Sequence, residues 1–172
     1  MENELNEILS AKGVYYTECV GPDGKVKWTD VAYNLVTYQG KNGLLDTYFA
    51  GSAYTAAWYM SLITAGTATT ASTYASPTVT EIGAGIITGN TRLTVGWSAS
   101  ASGSKSATTT SFSITGSATI TGNMVVAGGT GVTTVGNTAA SGGILFSAAN
   151  FTGGSKTVSN GDTLNVTYSI TV

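Results

Sequence analysis

The sequence contains no histidine, one cysteine and two prolines in 172 residues, and only 9% of it is charged. Without histidine, neither a Ser-His-Asp triad nor a Cys-His pair can be assembled, and zinc loses one of its two usual ligand types. The lone thiol, Cys19, cannot form an internal disulfide, so no oxidising compartment is implied. Its expected role is that of a small buried hydrophobe. Seven Lys and Arg residues, scattered and outnumbered by nine acids, are too few for the cationic footprint that nucleic acid requires. No apolar run reaches the length of a membrane span, and the acidic opening MENELNEILSAKG lacks the apolar stretch of a signal peptide. The expectation is therefore a protein made in a cytoplasm, with neither nucleic acid nor membrane as partner. The sequons at Asn150 and Asn165 then read as chance matches in a Thr-rich chain.

Ser, Thr and Gly make up about two-fifths of the chain, while 11 of its 16 formal charges fall in residues 1–46. Low charge with many hydroxyls describes many disordered chains, but those also lack β-branched and aromatic residues. Here such residues are present and in register. A length of 172 residues suits one domain with one core. Hydroxyl-covered surfaces of low charge tolerate close contact with neighbours, which hints at assembly.

Residues 1–10 are expected to form an N-terminal arm of one or two helical turns with Leu5, Ile8 and Leu9 on one side. A helix this short is not stable alone, so these three are the candidate partner-contact residues. Residues 11–172 are expected to form one β-sandwich domain. GVYYTECV and KVKWTD read as a hairpin joined by Gly21-Pro22-Asp23-Gly24. The stretch NLVTYQGKNGLLDTYFAG places Leu44, Leu45, Tyr48 and Phe49 on one face at helical spacing, which predicts a short helix over about 38–50 capped by Gly51.

Period-two alternation then takes over. It predicts strands from Tyr54 to Leu62, from Leu93 to Ala101 and from Leu164 to Val172, with ATTTSFSIT, SATITGNMVVAG, GILFSA and KTVS between the last two. Asn160-Gly161 is a favoured pair for a tight turn into the terminal strand. Residues 64–78 read as a polar loop containing Pro77, and the Gly-rich residues 127–143 as another, without a fixed repeat period. Eight or nine strands with one apolar face each predict an all-β, antiparallel, jelly-roll-like sandwich with one short helix.

The search for chemistry is mostly one of elimination. Lys105 lies close in sequence to Ser102, Ser104 and Ser106, but a Ser/Lys nucleophile needs a buried lysine and this stretch reads as a polar turn. Glu18, Asp23, Asp30, Asp46, Glu81 and Asp162 are the candidates for paired carboxylates, and turn or capping roles explain most of them. Gly131–Thr138 has the glycine spacing of a phosphate loop with Asn137 where the lysine belongs. No catalytic residue, metal or cofactor is expected. Trp28, Trp58 and Trp97 lie on apolar phases and are expected in the core, whereas some of Tyr15, Tyr33, Tyr38 and Tyr59 are candidates for covering a subunit contact.

The order ELNEIL, KGVYYTECVGPDGKVKWTDVAYNLVTYQGKNGLLDTYFAGS, YTAAWYMSLI, TRLTVGWSAS, SKSATTTSFSITGSATITGNMVV and GGILFSAANFTGGSKTVSNGDTLNVTYSITV resembles a family of small virion proteins of tailed bacteriophages, the capsid cement or decoration proteins. The most distinctive parts are NLVTYQGKNGLLDTYF and FTGGSKTVSNGDTLNVTY. The resemblance implies a sandwich or jelly-roll unit that binds the outer surface of the phage head as a homodimer or homotrimer. Its partner would be the major capsid protein, and its place the virion, after synthesis in the bacterial host cytoplasm. The resemblance implies no catalysis and carries over no functional residues, because the signature consists of core and turn positions. Two other readings remain open on the residues: a tail or fibre structural component, and a non-catalytic carbohydrate-binding sandwich.

Overall fold

The computed structural model describes residues 11–49, 57–128, 132–136 and 142–172. In chain order, the first half forms β1 (Lys12–Val20), β2 (Val26–Tyr33), β3 (Leu35–Val36), α1 (Tyr38–Phe49), β4 (Trp58–Gly66), β5 (Val79–Glu81) and β6 (Leu93–Thr94). The second half forms β7 (Ser104–Ser106), β8 (Thr110–Ser113), β9 (Ala118–Ile120), β10 (Gly122–Gly128), β11 (Gly143–Asn150), β12 (Lys156–Val158) and β13 (Thr163–Thr171). The fold is an all-β antiparallel sandwich with one short helix.

One sheet has the order β2-β1-β13-β7, with β8 also bonded to β13. The first and last described strands meet in it: β1 and β13 pair along their whole length, from Lys12 opposite Thr171 to Val20 opposite Thr163. Alternation explains why. Tyr15, Thr17 and Cys19 of β1 and Leu164, Val166 and Tyr168 of β13 all turn inward and are fully buried, whereas their neighbours face outward. The β1–β2 hairpin closes as the sequence predicts. Gly24 donates to the Gly21 carbonyl at 2.9 Å and adopts a φ of 76°, a value that glycine accepts without strain.

The second sheet has the order β3-β11-β10-β4-β5, with β6 on β4. Its inner face contributes Met60, Leu62, Val125 and Ala149 to the core shared with the first sheet. Its outer face is also covered, since Ile63, Met124, Val126, Leu145 and Ala148 pack beneath Tyr74 and Val132 from two loops. That burial on both faces explains the nearly uninterrupted apolar run of β10. The polar loop predicted at 64–78 thus starts later, after β4 ends at Gly66, and it is a lid carrying one large aromatic.

Several expected strands differ. Of the predicted strand Leu93–Ala101, only Leu93–Thr94 is strand, while Trp97 and Ala101 make isolated bridges to Ala107 and Ser104. The later part of that alternation is built from Ala and Ser, which bury too little apolar area to hold a strand down. The segment SATITGNMVVAG divides at Thr121 into β9 and β10, which belong to different sheets. Asn160-Gly161 does form a turn, with Asp162 donating to the Ser159 carbonyl at 3.0 Å, but it joins no hairpin because β12 pairs with β9. The described residues hold thirteen strands, more than the eight or nine expected. Residues 1–10, including Leu5, Ile8 and Leu9, lie outside the described residues, as do Gly51 and Tyr54.

The helix forms where the sequence predicts, over Tyr38–Phe49, with Gly40 and Gly43 rather than the leucines against the sheet; the Tyr48 side chain lies outside what is described. Thr37 caps it, accepting from the Gly40 amide at 3.0 Å and donating to the Leu145 carbonyl. Gly40 and Gly43 form the face against β11: a Cβ at Gly40 would stand 2.6 Å from the Phe146 carbonyl oxygen, and one at Gly43 would stand 3.1 Å from Ile144 Cδ1. The glycines allow an approach that leucines would prevent. Leu44, Leu45 and Phe49 are consequently 41%, 48% and 80% exposed.

Candidate interaction surface

Several of the residues singled out for chemistry are engaged by the fold itself. Lys105 donates to the Ser98 carbonyl at 2.9 Å, while the Ser104 hydroxyl bonds to that of Thr171 at 2.9 Å. Three of the candidate carboxylates are buried, each in its own network. Asp30 pairs with Lys156 at 3.0 Å and accepts from the amides of Val31 and Gly153. Asp162 pairs with Lys27 at 2.7 Å and accepts from the Ser159 amide, closing the turn into β13. In both, burial pushes the carboxyl pKa up, but the lysine and the backbone donors outweigh it and hold the group below its ordinary value.

Glu81 and Arg92 form a third network that sequence reasoning missed. Arg92 grips both Glu81 oxygens, at 2.7 and 2.8 Å, and also donates to the Tyr74 hydroxyl and the Val132 carbonyl. Glu81 further accepts from the Gly136 amide at 2.6 Å. The pair binds the Tyr74 loop and the 132–136 segment to the outer face of the second sheet. Gly131, Asn137 and Thr138 of the phosphate-loop-like stretch lie outside the described residues, and the part between them serves this clasp.

Of the outer carboxylates, Asp23 lies 3.7 Å from Lys25, and Glu18 accepts from Asn165 at 3.4 Å. No group of three metal-ligating side chains occurs among the described residues, nor is any described helix long and apolar enough to cross a membrane. Cys19 is buried beside Asp162, and burial with that neighbouring charge pushes its thiol up to about 11. It is the inert hydrophobe the sequence predicts.

Besides the exposed charges, an apolar and hydroxylic surface is left to meet a partner. The tryptophans belong to it in part: Trp28 packs on Phe151 and donates to the Thr157 carbonyl, whereas Trp58 and Trp97 meet edge to face at 6.0 Å and are half-buried. These two, with Leu44, Phe146, Ile170 and Lys105, line an open depression of about 180 Å³ beside α1. A second depression, of about 150 Å³, shares Leu44 and is completed by Ala11, Lys41, Leu45 and Val172. On the outer face of the first sheet, Tyr16, between Val31 and Thr167, and Tyr33, opposite Val14, are 46% and 72% exposed. Tyr38 is likewise exposed, but Tyr15 is fully buried.

Comparison with known proteins returns neither a matching protein-family model nor a matching curated protein. The sandwich and its surfaces must carry the functional reading.

Proposed function

We propose that the protein is a virion structural protein of a tailed bacteriophage, which binds the outer surface of the head and stabilises the capsid lattice. The observation that carries this reading is the division of labour in the molecule: the three buried carboxylates are all engaged in holding loops and turns, while large aromatic and aliphatic side chains such as Tyr33, Tyr38, Leu45 and Phe49 stand exposed. A surface of that kind suits a broad, dry contact rather than turnover of a substrate. The resemblance of NLVTYQGKNGLLDTYF and FTGGSKTVSNGDTLNVTY to capsid cement proteins supports the same reading.

In the mechanism we infer, the sandwich bridges neighbouring major capsid subunits and opposes the pressure of packaged DNA. Many identical weak contacts on a symmetric lattice give strong total binding without a deep pocket. Residues 1–10 and the long loops supply the contacts, and copies of the chain associate as dimers or trimers. Antibody-gold labelling of intact virions that contain the protein tests this: label on heads supports the reading, and label confined to tails or absent from particles overturns it.

A further inference from the structure

A depression of about 420 Å³ opens where the outer face of the first sheet meets the loop between β11 and β12, with Tyr16 on one side and Gly153 and Lys156 on the other. We propose that it binds one pyranose unit of a neutral glycan, with the Tyr16 ring as the platform for the sugar's C–H face.

Its size falls within the span of small-molecule sites, about 300–1,000 Å³. Charge narrows the choice of ligand. The charged side chains that line the depression are Asp30 and Lys156, which pair at 3.0 Å and cancel. A polar, uncharged ligand with one apolar face suits such a site better than an ion does. Carbohydrate has that character, since a pyranose presents C–H groups on a face and hydroxyls around its edge. The face of an aromatic ring is negative in potential and attracts such C–H groups. Tyr16 is 46% exposed, and Val31, its neighbour on β2, extends the apolar wall.

The polar groups are held in place by the fold and still have bonds to offer. Asp30, with a side chain 5% exposed, accepts from the amides of Val31 and Gly153 and anchors Lys156. Lys156 also donates to the Gly153 carbonyl at 3.0 Å, which leaves one of its three N–H groups for a ligand oxygen. The Thr152 hydroxyl donates to the Val31 carbonyl at 3.1 Å, so its lone pairs remain to accept, and the exposed Thr29 hydroxyl can do either. Gly153 is required at the floor: a Cβ there would stand 2.3 Å from Asp30 Oδ2 and 3.0 Å from Lys156 Nζ. With one carboxylate among the lining residues, the site lacks the pair that glycoside hydrolysis needs. Its chemistry is binding.

The site goes beyond the capsid reading and does not rest on it, because the sandwich and one loop place every group it uses. The test titrates the full chain with cellotetraose, maltotetraose, mannotetraose and chitotetraose at millimolar concentration, read by amide chemical shifts in NMR. At least one should bind, with the shifts gathered at Thr29, Val31, Thr152 and Gly153. Tyr16→Ala should weaken that binding about tenfold or more and leave the melting temperature in place, since the ring stands on the outer face. Tyr16→Phe should retain it. No shift with any of the four sugars overturns the proposal. So do shifts gathered elsewhere, such as around Trp58 and Trp97, and binding that Tyr16→Ala leaves unchanged.

Discussion

The hydroxyls of Tyr15 and Ser147, 132 positions apart, share a hydrogen bond of 2.5 Å in the centre of the sandwich, where β1 of one sheet faces β11 of the other. Tyr15 also stacks on Tyr168 with ring centroids 4.5 Å apart. Removing the Tyr15 hydroxyl leaves Ser147 to find another partner inside a packed core. Tyr15→Phe should therefore cost about 1–2 kcal/mol, and a double-mutant cycle with Ser147→Ala should show coupling by urea denaturation. Additive effects would show that the bond contributes nothing of its own.

The Glu81–Arg92 pair is buried on both sides, with side-chain exposures of 5% and 0%. Taking away one partner strands the other charge, so Glu81→Ala should cost about 3–5 kcal/mol. The loss should be local at first. Hydrogen exchange should rise in the Tyr74 loop and at 132–136 before it rises in β1 and β13, because the clasp ties those loops to the sheet.

The two glycines under α1 should respond in opposite ways to alanine. In an exposed helix, Gly→Ala gains about 1 kcal/mol. At Gly43 the new methyl would meet only the end of the Ile144 side chain, which can turn aside, so Gly43→Ala should be neutral or stabilising. At Gly40 it would meet the Phe146 backbone, 2.6 Å from the carbonyl oxygen. Gly40→Ala should destabilise the protein by about 1–3 kcal/mol, read as a lower melting temperature.

Stability should fall at both ends of the pH scale. The carboxyls of Asp30 and Asp162 are held below their ordinary value in the folded state. Their contribution is complete above the unfolded value of about 4 and is lost as the pH falls through the folded values. Burial raises the pKa of Tyr15 and Tyr168 instead. The stability that depends on their neutral form is complete below about pH 10 and lost above it. Cys19, whose thiol is pushed up to about 11 in the fold, begins to lose its contribution above the ordinary thiol value of about 8.5, so urea midpoints should be flat between about pH 5 and 8, and Asp162→Asn should flatten the acid limb.

The strands at the two ends of the chain were legible because large apolar residues alternate with polar ones, so only one register buries them. Leu93–Ala101 shows the same alternation, yet its later apolar members are alanines, and the period without bulk misled. The helix was legible from Leu44, Leu45 and Phe49, but its orientation was not. The signal for orientation lay in Gly40 and Gly43, three apart, which mark a face that must come close to something. The Glu81–Arg92 clasp also had a signal: of the five charges beyond residue 46, these two lie near each other in sequence. In so charge-poor a stretch, each remaining charge is worth suspecting of a buried partner. Asp162 with Lys27 and Lys156 with Asp30 follow the same logic over longer range.

Cryo-electron microscopy of virions that contain this protein tests the central claim most directly. The account predicts density for the sandwich on the outer surface of the head, repeated at lattice symmetry positions and touching adjacent capsid subunits. Density only in the tail, or none in the particle, would contradict it.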